Sequence, residues 1–334
     1  MNVFVAGATG VIGRRALPLL VAAGHHVTRM TRRADRAPLL NAMGATPVIC
    51  DVFDQTRLTD VVTDSSCDVL IHLLTDLPNR FKPRSSTEPT DHLRRAGTRN
   101  LLRAAQAAGV HRVIAESIAF LYRPSGRAPK TEADPPWLDA PGSFGPTVAA
   151  ALDLERQVCE LDGVVLRFGW LYGPGTLYAP DGSIARDVNR RRYPIVGEGL
   201  GTWSFIHVDD AATAVLAALE RGEPGIYNIV DDQPRAMSEW LPAFAAAIGA
   251  PRPPRVPTWL ARIVAGPAAA ELSARLAPAT NAKAKAKLDW APRHRTWFTP
   301  RGTRAPADGP RGSPSPAASR SIPCRERRAA PRVR

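Results

Sequence analysis

The chain has 334 residues, 44% of them hydrophobic, and a formal net charge of +13 from 44 Lys and Arg against 31 Asp and Glu. That length and apolar content suffice for a full core and exclude a wholly disordered or fibrous chain. The charge says less about partners than its size suggests, because residues 298–334 carry nine Arg against Asp308 and Glu326, more than half of the excess.

That C-terminal stretch (RGTRAPADGPRGSPSPAASR and onward) is rich in Pro, Ser, Gly, Ala and Arg and has no apolar period. Such a composition cannot bury enough surface to offset the entropy of ordering, so a disordered basic tail is expected over 298–334. The abrupt change of texture after DWAPRHRTW is expected to mark a shift of reading frame in a GC-rich gene. Arg-rich segments bind phosphate chains by releasing counterions. No stacking aromatic follows Phe298, however, and nucleic acid is not an expected partner. Cys50, Cys67, Cys159 and Cys324 are scattered without a CxxC, so neither a disulfide framework nor a metal site is indicated, and a reducing cytoplasm fits. No basic leader precedes VFVAGA and no apolar run reaches the roughly 18 residues of a membrane span, so no membrane association is expected.

In chain order, short β-branched runs alternate with Ala/Leu-rich stretches that keep apolar residues on one face. Candidate strands are VFVAGA (3–8), HVTRMT (26–31), TPVICD (46–51), DVLIHLL (68–74), RVIAES (112–117) and GVVLRFG (163–169). Helical stretches between them include VIGRRALPLLVAAG, LRRAGTRNLLRAAQAAG and PTVAAALDLERQVCEL. This is the rhythm of parallel βαβ units. The expected fold is α/β, a doubly wound parallel-sheet Rossmann domain of about six strands over 1–169. After Gly169 the texture turns to loops and shorter elements, including a helix from Ala211 to Glu220 with Asp210 as its cap. A smaller C-terminal substrate lobe is expected over 170–297.

The first strand runs into GATGVIG and then an amphipathic helix, the context in which a glycine pattern carries information. Gly7 permits a tight turn, Gly10 lets bare main chain approach a pyrophosphate, and Gly13 allows helix and strand to pack closely. Thr9 and Ile12 lie in the same turn, and the helix start offers N–H groups to phosphate. The expected occupant is a nicotinamide dinucleotide. An acidic residue at the end of the second strand would hold a ribose 2′-hydroxyl, whereas an Arg would pair with a 2′-phosphate. Here the strand ends Met30-Thr31-Arg32-Arg33 with no carboxylate before Asp35, which favours NADP over NAD.

Taken together, GATGVIG, Asp51-Val52, VLIHLL, GTRNLLRAAQAAGVHRVIAES, LRFGWLYGPGT and FIHVDDAATAVLAAL resemble the extended short-chain dehydrogenase/reductase superfamily, in its NAD(P)-dependent epimerase/dehydratase group. The resemblance covers residues 1–297. It implies that Asp51 with Val52 lies at the adenine and that Leu73, Leu74 and Thr75 lie beside its ribose. It also implies an oxidoreductase acting on a small carbonyl or sugar-type substrate, and a homodimer.

The same resemblance exposes a departure. Members of this superfamily use a Tyr-x-x-x-Lys pair with a nearby Ser or Thr, the cations lowering the phenol pKa so that it exchanges a proton with substrate. The matching positions are Phe144, Val148 and Ile118, and no Tyr-x-x-x-Lys occurs anywhere in the chain. The usual Asn before GTRN is Arg94, and before Lys283 the only lysines are Lys82 and Lys130. Ser117 and Tyr122 are the catalytic candidates that remain, with Glu116 and His207 as further polar groups. Arg190, Arg191 and Arg192 suit either an anionic substrate or a solvated turn, and Trp170, Tyr172 and Trp203 suit a pocket wall or core. Two functions stay open: a reductase or epimerase-like enzyme with a different proton route, or a non-catalytic NADP(H)-binding regulator or redox sensor.

Overall fold

The computed structural model describes residues 1–33, 45–78, 86–126 and 128–294. The basic tail lies outside the described residues.

Seven parallel strands form one sheet. Six occur where the hydrophobic runs predict them: β1 (Asn2–Ala6), β2 (His26–Thr31), β3 (Thr46–Ile49), β4 (Val69–His72), β5 (Arg112–Ile118) and β6 (Val164–Phe168). The seventh is Gly225–Ile229, which pairs with β6 in parallel from Gly225↔Val164 to Ile229↔Phe168. The sheet order is β3-β2-β1-β4-β5-β6 followed by this strand. The chain therefore reverses direction across the sheet between β1 and β4, where the C-terminal strand ends open a crevice.

The seventh strand corrects the count of six. GIYNI reads as one short run among loops, and its partner lies some 60 residues upstream, so no local pattern assigns it to the sheet. The helix before it, Val208–Arg221, packs against the first helix, Gly13–Ala22.

Side-chain alternation explains why the strands read as unbroken apolar runs. Val3 and Val5 face a cluster holding Leu17 and Leu20 of the first helix and Val215 of Val208–Arg221. Phe4 and Ala6 face the opposite cluster, with Leu58, Leu101 and Leu154 from helices Gln55–Asp64, Thr98–Ala107 and Phe144–Cys159. Both faces are covered, so both sets of alternate residues are mainly apolar, and the polar exceptions must find buried partners. A third cluster, built from Tyr172, Tyr178, Trp203, Phe205, Trp240 and Phe244 among others, forms the core of the segments after β6.

Asp210 does not cap its helix. That helix begins at Val208, and His207 caps it by accepting the Asp209 N–H on its side chain. Asp210 is buried and accepts the N–H groups of Arg293 (3.1 Å) and His294 (2.9 Å), with His294 Nδ1 3.1 Å from the same carboxylate. One carboxylate thus fastens residues 293–294 to the start of a helix more than 80 positions earlier. We expect Asp210→Ala to destabilise the protein by about 2 kcal/mol, since hydrogen bonds to a charged group are worth roughly 1.5–3 each and water recovers part. Thermal unfolding reads the loss as a lower midpoint.

Candidate active site

At the end of β1 the chain turns at Gly7, with φ +91°. A side chain is barred there twice: the backbone is left-handed, and a Cβ would lie 2.3 Å from the Leu73 carbonyl oxygen. Gly13 is barred by contact alone, its Cβ falling 2.5 Å from the Gly7 carbonyl oxygen. Gly10 differs. It is exposed, and the nearest atom to a Cβ there would be the Gly7 oxygen at 3.2 Å. The fold requires Gly7 and Gly13, whereas Gly10 keeps open a face that the fold itself does not use.

Gly10 N–H donates to the Gly7 carbonyl and the Gly10 carbonyl accepts the Arg14 N–H, each at 3.0 Å. Among the described residues this leaves the N–H groups of Val11, Ile12 and Gly13 without a backbone acceptor. Free donors at the positive end of a helix fit an anionic phosphate. Ile12 itself is buried in the core, so its side chain anchors the turn and only its main chain is on offer.

The Leu73 carbonyl that meets Gly7 is held in turn by a residue sequence patterning does not single out. His72, at the end of β4, is buried; its Nδ1 accepts the Leu74 N–H (3.3 Å) and its Nε2 lies 2.9 Å from Thr98 Oγ1. Burial and the nearby Arg94 guanidinium push its pKa down to about 4, so the ring is neutral and the acceptor at Nδ1 is kept.

Beyond Leu73 a cleft of about 30 Å³ is lined by Met30, Arg32, Val52, Leu74, Thr75 and Leu93. It joins the ends of β2, β3 and β4, and so gathers Arg32, Val52, and Leu74 with Thr75 from three distant stretches. Arg32 is exposed, 3.8 Å from Asp76 with both side chains about half exposed, a pairing that water and salt screen heavily. Arg33 is exposed beside it, its N–H donating to Thr31 Oγ1 (3.2 Å). Asp51 is exposed and accepts the Phe53 N–H, closing the turn after β3. Thr9 is partly exposed within the glycine turn. Asp35 lies outside the described residues.

The residues that the resemblance matches to the superfamily's proton-transfer positions also meet, as hydrocarbon. Ile118, Phe144 and Val148 belong to one buried apolar cluster with Leu121, Trp137 and Ala151. Lys130 offers no substitute for the missing lysine, because its ammonium is buried and donates to Ser125 O (2.7 Å) and Ser125 Oγ (2.8 Å), with Asp134 Oδ1 at 3.4 Å. Lys82 lies outside the described residues.

Ser117 and Tyr122 are brought together by one buried network. Ser117 Oγ donates to Glu155 (2.6 Å), and Glu155 accepts two bonds from Arg167, at 2.8 and 2.6 Å. Arg167 Nη1 donates to the Tyr122 oxygen (2.8 Å), and the Tyr122 hydroxyl donates to Asn228 Oδ1 (2.7 Å). Ser117 is 2% exposed and Tyr122 0%. Burial pushes the phenol up to about 12, with Arg167 opposing. Glu116 differs from both neighbours: it is only partly buried, and no described residue hydrogen-bonds its carboxylate.

His207 sits beside the glycines of the Tyr172-Gly173 turn, its ring stacked on His294 at 3.8 Å with the planes 24° apart. With Asp209 the two imidazoles offer ligand atoms within 4.8 Å of one another. Near-parallel rings one above the other send their in-plane lone pairs along separate planes, a poor arrangement for sharing one ion. Arg190, Arg191 and Arg192 are exposed at the end of helix Ser183–Asn189. The Trp170 and Trp203 rings meet tilted, 4.5 Å apart with planes at 32°, and Tyr172 is buried in the same cluster.

The NAD dependent epimerase/dehydratase family model matches residues 3–230. The chain belongs to this family. A 3-diazoavenalumate denitrifying reductase from a Streptomyces species is 40% identical over 301 residues, covering 89% of this chain and 98% of the relative. A 4-hydroxy-2-methyl-3-oxo-4-farnesyl-3,4-dihydroquinoline-1-oxide ketoreductase of Stigmatella aurantiaca is 26% identical over 72% of this chain and 71% of its own length. Among solved structures, a UDP-glucose 4-epimerase from Thermotoga maritima superposes with a TM-score of 0.70 at 22% identity, covering 88% of this chain and 94% of that one. A dTDP-glucose 4,6-dehydratase from Bacillus anthracis, solved with NAD, gives 0.68 at 18% identity over 89% and 94%. These epimerase/dehydratase folds confirm the α/β Rossmann architecture. No helix among the described residues is long and apolar enough to cross a membrane.

The two kinds of glycine separate experimentally. Gly10→Ala is expected to unfold at the parent temperature yet weaken NADPH binding at least tenfold in a fluorescence titration. Gly7→Ala is expected to lower the unfolding midpoint as well, because its Cβ meets backbone that cannot yield.

Proposed function

We propose that this family member is an NADP(H)-dependent reductase that removes a diazo group, putting hydrogen in its place and releasing dinitrogen. The observation that carries this reading is that Ile118, Phe144 and Val148, which the resemblance matches to the proton-transfer positions, close into one apolar cluster. Oxidation of an alcohol or reduction of a ketone needs a group at that point to take or give the hydroxyl proton. Replacing a leaving dinitrogen by hydride does not. The cofactor, when bound, supplies the hydride. The 40% identity to a denitrifying reductase over nearly its whole length supports the same conclusion.

The chain's own residues then hold and orient. The N–H groups of Val11, Ile12 and Gly13 receive the diphosphate, and the cleft ending in Leu74 and Thr75 receives the adenosine. Arg32 at the rim of that cleft supplies a guanidinium for a 2′-phosphate, with Arg33 beside it. Toward the substrate, Phe120 and Trp170 are partly exposed and stacked at 4.2 Å, with Phe144 6.3 Å from Phe120. Such a wall suits a flat aromatic acceptor, and electron-rich rings favour a positively charged one.

With an aromatic diazo substrate and NADPH deuterated at the transferable position, the purified protein is expected to consume the two in equal amounts, evolve dinitrogen and place deuterium on the former diazo carbon. Tight NADPH binding without turnover would instead favour the non-catalytic regulator. Arg32→Ala is expected to lower the NADPH-over-NADH affinity ratio at least tenfold, and an unchanged ratio would remove the reason for assigning NADP.

A further inference from the structure

The loss of the Tyr and Lys leaves one carboxyl at the crevice with no structural task. In β5 the pleat sends Ser117 toward helix Phe144–Cys159, where Glu155 binds it. Glu116 goes with Ile114 to the opposite face, that of the first helix, and its register partner Leu166 shares a cluster with Ile12 and Leu17. Glu116 is therefore near the C-terminal end of a strand beside β4, on the face whose helix begins at the glycine turn. The polar groups on the other face, Ser117, Glu155, Arg167 and Tyr122, are engaged with one another. The Glu116 oxygens have no partner among the described residues, and they reach solvent.

We propose that the Glu116 carboxyl is the acid that protonates a neutral aromatic diazo substrate, converting it to the diazonium cation that accepts hydride. The inference rests on the denitrifying reading above. A neutral aromatic diazo compound keeps its balancing negative charge on a conjugated ring oxygen, and that charge opposes hydride attack. Glu116 gives its proton to this oxygen: the carboxyl O–H bond breaks and a phenol O–H bond forms. The ring carbon then gains hydride from the reduced nicotinamide, while the C–N bond breaks and its electron pair leaves with dinitrogen. The carboxylate recovers a proton from solvent. Overall, the diazo compound, one hydride and one proton give a phenol and dinitrogen, and the nicotinamide is oxidised.

The surroundings suit the task. Deep placement pushes the Glu116 carboxyl up to about 7, and the Arg94 guanidinium opposes that rise. Arg94 is buried where the superfamily has Asn, on the π turn Leu93–Gly97; its Nε has no partner and Asp91 is 3.6 Å away. Among the described residues, the other charged or titratable groups near this strand end are Asp91, paired with Arg94, His72 from β4, kept neutral, and the mutually neutralised Glu155 and Arg167. A carboxyl poised near neutrality, with one buried cation to receive its negative charge, can give up a proton and take it back in each cycle.

The sign of the pH dependence follows. Below about 7 the acid form is present; above it, turnover of the neutral diazo substrate falls tenfold per pH unit. A preformed arenediazonium without the ring oxygen bypasses the step and shows no such fall. In Glu116→Gln, the ratio of neutral-diazo to diazonium reduction is expected to drop at least 100-fold, through kcat with little change in KM, and Glu116→Asp to restore part of it. NADPH affinity by fluorescence should stay within about twofold, and carbon-13 NMR of the free protein should lose one Glu carboxyl titrating near neutrality. An unchanged ratio and pH profile in Glu116→Gln, or equal loss with both substrates, overturns the assignment of Glu116 and leaves denitrification standing. Failure of the parent enzyme on both substrates overturns the denitrifying reading itself.

Discussion

The approach of the Gly7 main chain to the Leu73 carbonyl sets the site. No side chain fits between them, so β1 and β4 can open toward their C-terminal ends only around bare backbone. That turn aims the start of the first helix at the crevice and frees the N–H groups of residues 11–13. His72, held neutral by burial, fixes the β4 end that Gly7 leans on. The Arg32 and Leu74 cleft continues the same edge, so the cofactor site proposed above rests on one close backbone contact and the strand order around it.

Beside that turn, the positions that the resemblance matches to the superfamily's proton-transfer residues are apolar. Phe144 and Val148 close over Ile118 as core, and the buried charges below them neutralise each other. Glu155 and Arg167 form a two-bonded pair that also holds Ser117 and Tyr122. A buried pair of this kind resists removal of either partner, because the other would be left charged and dry. At the end of β5, among the described residues, Glu116 is a carboxyl that burial brings to about 7 and that the network does not reach. These features are the ones on which the proposed hydride chemistry, completed by the leaving group and not by a protein base, rests.

The sequence made the local features legible. The glycine turn, the six runs that became β1–β6 and the absence of any Tyr-x-x-x-Lys are matters of spacing within a few residues. Features that depend on distant partners were not legible. The Gly225–Ile229 strand gains its place only from pairing with β6. Asp210 resembled a cap because nothing nearby announces Arg293 and His294. Ser117 and Tyr122 were marked by residue type, while the partners that enclose them, Glu155, Arg167 and Asn228, lie between 38 and 106 positions away. Glu116 was visible as a polar residue at a strand end. What distinguishes it, the lack of a hydrogen-bond partner among the described residues, only the folded chain could reveal.

The most direct measurement is a crystal structure of the protein with NADP⁺ bound. The diphosphate is expected against the N–H groups of Val11, Ile12 and Gly13, with the 2′-phosphate at Arg32 and the nicotinamide ring over the end of β5 beside Glu116. A dinucleotide seated elsewhere, or a ring turned away from that strand end, would contradict the account.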